Sequence, residues 1–136
     1  MGTRGRSQFV GAAGQHFVAY CLSVRGIHAA ITLGNVPDVD VDVDVVIAKP
    51  DGSIALSIQV KTSRWAYRPN RYGKERCEWD VGGSAVNRWS ENLWYSFVDF
   101  QEEGNPPSWK PRVFIVPSLW VAKYVYASCG GMGPLS

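Results

Sequence analysis

Between residues 38 and 61 the side chains alternate with a period of two, and this constrains the fold more than any other feature of the chain. Asp38, Asp40, Asp42 and Asp44 alternate with valines, so 39–47 reads as a strand with apolar odd positions and carboxylates at even ones. Past Asp44 the even positions become Val46 and Ala48, so the polar face enters a buried environment there. Asp44 is the acid expected at the interior edge of the sheet, and Asp38, Asp40 and Asp42 belong on a solvated extension. Pro50, Asp51 and Gly52 then form a turn. It returns the chain into a strand over 54–61, with Ile54, Leu56, Ile58 and Val60 on one side and Ala55, Ser57, Gln59 and Lys61 on the other. Asp44 on one strand, with Gln59 and Lys61 two positions apart on the next, places three side chains on one face of a hairpin, a plausible metal and water site. An ammonium at the end of a buried strand is costly unless paired. Lys61 therefore either pairs with Asp44 across the hairpin or reaches solvent. A calcium loop does not fit the aspartates, because its required glycine would be Val43 or Val45 and its terminal glutamate Lys49 or Asp51.

The remaining chain supplies elements to pack on this hairpin. Val10, Ala13, Phe17, Cys21 and Val24 recur at helical spacing, which predicts a helix over 7–24, with Ser7 as N-cap and Gly26 as stop. Gly11 and Gly14 would let it lie close to a sheet. Gln15, near the edge of the apolar stripe, reads on periodicity as a surface residue. A strand is predicted over 27–33, broken by Gly34 and Pro37, and a short helix over 85–91. The run 93–100 predicts a central strand, 112–116 another, and 118–127 a helix capped by Ser118. Residues 1–6 and 130–136 read as flexible tails of a single domain spanning 1–136.

Composition narrows the classes. The chain has 136 residues, 46% hydrophobic and 19% charged, enough for one buried core. No run approaches the roughly 18 apolar residues of a membrane span. The N-terminal residues lack an apolar signal core, and Arg6 breaks the myristoylation pattern, so neither export, lipid anchor nor membrane partner is implied. Cys21, Cys77 and Cys129 are widely spaced and accompanied by two histidines, His16 and His28. They read as reduced thiols of a cytoplasmic protein, with no zinc site. His16 and Cys21 point apart on their helix, which makes a thiol and base pair improbable. The net charge of +2 is unevenly spread: five of 12 acidic residues fall in 38–51, and six of 14 basic ones in 61–76. The segment 62–78 has no period and mixes Arg64, Arg68, Arg71, Lys74 and Arg76 with Trp65, Tyr67 and Tyr72. Guanidinium groups bind phosphate and aromatic rings stack on bases, so this long loop suits a nucleic-acid strand.

In order, the pieces Gly34-Asn35-Val36-Pro37, Asp44, Ile58-Gln59-Val60-Lys61-Thr62-Ser63, Phe97-Val98-Asp99 and Phe114-Ile115-Val116-Pro117-Ser118 resemble the restriction-endonuclease-like PD-(D/E)XK nuclease superfamily. More narrowly, they resemble a small bacterial or phage branch with Gln-Val-Lys in place of (D/E)-x-K. The likeness covers about 8–127 and includes the helix bearing Gly11, Gly14 and Gln15. It implies an α/β (α+β) fold with a central mixed sheet of about five strands flanked by helices, in the order αβββαββα. It implies that Asp44 binds the metal, with Asp42 or Asp40 in that place under a register shift of an even number. Lys61 then positions the attacking water and stabilises charge on the scissile phosphate. Gln59 takes the place of the usual acidic ligand, the Val60 carbonyl is a further ligand, and Gln15 stands where many relatives carry a glutamate. The cofactor implied is Mg²⁺, with Mn²⁺ as substitute, and the partner is DNA, bound by Arg64, Trp65, Arg68, Arg71, Lys74 and Arg76. With Gln59 and Gln15 both neutral, metal affinity is expected to be weak without DNA phosphate.

Three functions follow as expectations. The first is a divalent-metal-dependent DNA nuclease, with structure-selective, junction-resolvase-like action one form of it and a homodimer one arrangement. The alternative is a catalytically weakened domain that binds nucleic acid without cleaving it. The third is an interaction domain that uses its six tryptophans as an interface.

Overall fold

The computed structural model describes residues 3–32, 43–68, 76–102 and 110–128. Helix α1 spans Thr3–Ser23. It starts before the expected Ser7, because apolar periodicity marks where a helix packs and not where its backbone begins to wind. Its end is a Schellman motif: the Gly26 N–H bonds Ser23 O at 3.0 Å and the Ile27 N–H bonds Leu22 O at 3.0 Å. Gly26 has φ 80°, the left-handed conformation that this motif demands.

Three strands follow, β1 (Ala29–Ile31), β2 (Val45–Ala48) and β3 (Ile54–Ser63). The turn between β2 and β3 closes as expected, with Lys49 N–H on Ser53 O at 2.8 Å and Gly52 at φ 88°. The Asp51 carboxylate accepts from both the Ser53 hydroxyl and N–H, which holds it below its ordinary pKa. Of the expected strand over 39–47, the described part is strand from Val45. β2 begins only at Val45, and residues 33–42, which include Asp38, Asp40 and Asp42, lie outside the described residues. Ile54, expected on the buried side, is 62% exposed, because the register shifts between Ile47 and Ala48 at the hairpin end.

The segment read as a structureless loop over 62–78 is partly ordered. β3 runs on to Ser63, and β4 (Tyr67–Arg68) pairs antiparallel with β5 (Arg76–Cys77) as a small ribbon. The helix expected over 85–91 is a single 3-10 turn, Gly83–Asn87, with Ala85 as its buried residue. A segment burying so little is too short to propagate an α-helix. Then come β6 (Leu93–Asp99), β7 (Arg112–Pro117) and helix α2 (Ser118–Ser128). The Ser118 hydroxyl does not serve as the expected cap; it donates to Ser90 O and accepts from Ser90 N–H, which ties the loop after the 3-10 turn to the start of α2.

The main sheet has the order β1-β2-β3-β6-β7, with β3 and β6 parallel and the other pairs antiparallel. This is a mixed five-stranded α/β sheet with a helix on each face. A parallel neighbour needs a long crossover, and the ribbon and 3-10 turn supply it. On one face Val18 and Leu22 of α1 meet Val45, Ile58, Val60 and Val98; on the other, Val121 and Val125 of α2 meet Tyr95 and Ala85. Each such buried valine or leucine contributes roughly 1.5–3 kcal/mol. Among the described residues no helix is long and apolar enough to cross a membrane.

Of the two expected helix glycines, Gly14 permits the close approach and Gly11 has open space beside it. A Cβ at residue 14 would collide with Oγ1, Cβ and Cγ2 of Thr62. Gly14→Ala should therefore lower stability by about 1–3 kcal/mol in urea unfolding, with part of the loss recovered by adding Thr62→Ala. Tyr95 offers a second check. Burial raises its phenol above the ordinary 10.0, partly countered by Arg88. A raised folded-state value means that the contribution is complete below the unfolded-state value and is lost as pH rises through the folded one. The melting temperature should fall above about pH 10, less steeply in Tyr95→Phe; an identical decline in both would contradict this origin.

Candidate functional site

The site begins with a gap in the backbone ladder. Asp44 continues the sheet through its main chain, since its N–H bonds Ile58 O and its carbonyl accepts from Thr32 N–H, both at 3.0 Å. The next residue back turns away: Val43 O accepts from the Thr32 hydroxyl. At Val60 the ladder is continued by a side chain instead of a carbonyl, with Asp44 Oδ2 accepting the Val60 N–H at 2.7 Å. Asp44 Oδ1 accepts from Gln15 Nε2 of α1 at 3.1 Å. Three of the residues singled out in the sequence therefore converge, and they tie α1, the start of β2 and the middle of β3 together. Gln15, a surface residue on periodicity alone, is half-buried and bonded to the aspartate.

In a strand the N–H and C=O of one residue leave the same edge, so the Val60 carbonyl points from β3 towards the side where Asp44 sits. Gln59 and Lys61 are arranged differently. Ile58 and Val60 face α1, so by alternation Gln59 and Lys61 rise from the opposite face. There they sit beside their register partners Tyr95 and Phe97. The sequence reading put Asp44, Gln59 and Lys61 on one face; the structure places Asp44 at the edge of β3, with Gln15 over one face and Gln59 and Lys61 on the other. Among the described residues the ion pairs are Arg64–Glu102, Arg68–Glu78, Arg76–Glu78 and Arg112–Asp99, and Asp44–Lys61 is not one of them. Of the two alternatives for Lys61, the cross-hairpin pair is therefore not formed.

Lys61 instead lines a cavity of about 180 Å³ with Thr62, Ser63, Arg68, Glu78, Trp79 and Asp80. Glu78, Trp79 and Asp80 were not anticipated from sequence. They follow the ribbon's second strand in a stretch without periodicity, and only the crossover brings them beside β3. The basic segment is also less cationic than its composition suggests. Arg64 is paired with Glu102, which raises its pKa. Arg68 and Arg76 share Glu78, and Arg68 also donates to the carbonyls of Trp65 and Tyr67. Trp65 packs edge-on against Tyr67. Arg71 and Lys74 lie outside the described residues. Asp99, at the end of β6, is fully buried and accepts from Ala66 N–H, Gln101 N–H and Arg112. It anchors the ribbon to the sheet as a satisfied polar group, as expected for a residue at a sheet end.

The oxygen donors here are of the hard type. The Asp44 carboxylate and the Val60 carbonyl leave one edge, with the Gln59 amide on the adjoining face. Magnesium takes one or two carboxylates and completes its shell with water and substrate phosphate, so the donor types fit that ion. Among the described residues no three of His, Cys, Asp and Glu come together.

Loss of the Asp44 side chain would strand two donors, the Val60 N–H and the Gln15 amide. Asp44→Ala should cost about 1–3 kcal/mol and selectively speed hydrogen exchange at the Val60 amide. Exchange at the wild-type rate would contradict this bonding. Comparison with known proteins found no matching family model, curated protein or solved structure.

Proposed function

We propose that the chain is a divalent-metal-dependent nuclease acting on DNA, built on a restriction-endonuclease-like core. The observation that carries this reading is the convergence of Gln15, Asp44 and Val60 at the edge of the strand that bears Gln59 and Lys61. The mixed five-stranded sheet with a helix on each face is the architecture that such a core calls for.

Phosphodiester hydrolysis needs a positioned water and a counter-charge for the developing oxyanion. Asp44, the Val60 carbonyl and Gln59 would hold Mg²⁺ or Mn²⁺, which when bound supplies Lewis-acid polarisation of water and phosphate. Gln15 and the Val60 N–H fix the orientation of the Asp44 carboxylate before substrate arrives. Lys61, projecting into the cavity beside β3, orients the attacking water and places its ammonium against the phosphate. Arg64, Trp65, Arg68, Arg71, Lys74 and Arg76 belong to the proposed DNA-binding segment. Because Arg64, Arg68 and Arg76 are already paired with carboxylates, their role is to position as much as to attract.

A specific feature favours the second reading, a domain that binds nucleic acid without cleaving it. A carboxylate at position 15 would repel Asp44 and require a cation between them, whereas the Gln15 amide donates to Asp44 directly. The cluster is thus satisfied without metal.

Linear, single-stranded, flapped and four-way-junction DNA incubated with and without Mg²⁺ or Mn²⁺ separates the two. The nuclease reading predicts metal-dependent cleavage that falls about a hundred- to a thousandfold in Lys61→Ala, with DNA affinity largely kept. Wild-type cleavage by that variant would remove Lys61 from the chemistry. Absence of cleavage on every substrate, with binding retained, would select the second reading.

A further inference from the structure

The cavity beside Lys61 has a composition unlike that of a simple phosphate site. Lys61 and Arg68 bring positive charge to it, Glu78 and Asp80 bring carboxylates, Thr62 and Ser63 bring hydroxyls, and Trp79 supplies an indole. A phosphate can engage Lys61 at one side of the cavity, but the carboxylates of Glu78 and Asp80 leave the rest of the lining unsuited to a second one. A nucleobase carries ring donors, ring acceptors and a flat π-face together, and can use all three kinds of lining. The volume of about 180 Å³ is on the scale of one heterocycle and excludes a stacked base pair, whose groove geometry requires access for a whole duplex.

Trp79 is held rigidly enough to act as a stacking surface. Its Nε1–H donates to Val98 O at 2.9 Å, and its ring packs against Phe97 at 5.3 Å and Phe114 at 5.9 Å between centroids. Arg68 is tethered by its two backbone bonds, so that part of the lining is also preorganised. Asp80 is exposed and, among the described residues, is in none of the ion pairs. Its carboxylate can accept from an exocyclic amine.

We propose that this cavity receives a single unpaired base, so that the protein prefers DNA with an unstacked nucleotide over continuous duplex. This rests on the nuclease reading and narrows its substrate class to single strands, flaps and junction branch points. An unpaired base enters without the cost of being pulled from a duplex, and stacking plus hydrogen bonding then retains it.

The test is fluorescence anisotropy in EDTA with three labelled DNAs of related sequence: a blunt duplex, the same duplex with a three-nucleotide flap, and a single strand. The wild-type protein should bind the flap and single strand at least about fivefold more tightly than the duplex, the lower end of one stacked base. Asp80→Ala and Trp79→Leu should each bring that ratio towards one without weakening duplex binding. Asp80 is exposed, so its variant stays informative even if Trp79→Leu fails to fold. Equal wild-type affinity for flap and duplex, or an unchanged ratio in Asp80→Ala, would overturn the base pocket and leave the nuclease reading standing. No binding to any of the three would overturn both.

Discussion

The structure depends on one carboxylate that does the work of a strand carbonyl. Where β2 begins at Val45, the Val60 N–H of the neighbouring strand would lie buried without an acceptor, and Asp44 supplies one through its side chain. A buried amide left unpaired costs as much as several good contacts provide. Because the same carboxylate also accepts from Gln15, the register of α1 over the sheet is fixed at the same point. The Gly14 contact with Thr62, one residue away on the helix and two on β3, lets the two elements come close enough for that bond. Backbone geometry and candidate chemistry are thus built from the same few atoms.

Much of this was legible in the alternation of side chains. The turn at Pro50 to Gly52, the buried Ile58 and Val60, the strand through Phe97 and the terminal helix after Pro117 follow from period and turn chemistry alone. The weight placed on Asp44 also followed from the point where the even positions turn apolar. The Val–Asp repeat suggested a strand over 39–47, and among the described residues β2 runs only from Val45 to Ala48, because alternation reports which face a residue would occupy and not where pairing begins.

The parts that escaped the sequence depend on contacts distant along the chain. Gln15 looks like a surface residue until Asp44 arrives from 29 positions away. Arg64 and Arg68 read as free cations until Glu102 and Glu78 fold against them. Asp80 and Trp79 carry no periodic signal, and only the crossover from β3 to β6 brings them next to Lys61. A reading by faces also placed Asp44 with Gln59 and Lys61, whereas the carboxylate sits in the plane of the sheet between two faces.

The resulting picture is a site with one firm carboxylate, two neutral amides where more acidic groups would strengthen metal binding, and a lysine on the adjoining face. In the proposed nuclease this charge deficit is the property on which activity would turn, because a DNA phosphate could complete what the protein leaves out. Calorimetric titration of Mn²⁺ into the protein, alone and with an uncleavable phosphorothioate flap DNA, tests this most directly. The account predicts little saturable binding to the protein alone, clear binding in the presence of DNA, and loss of that binding in Asp44→Ala. Equal Mn²⁺ binding by the wild-type and Asp44→Ala complexes, or none by either, would contradict it.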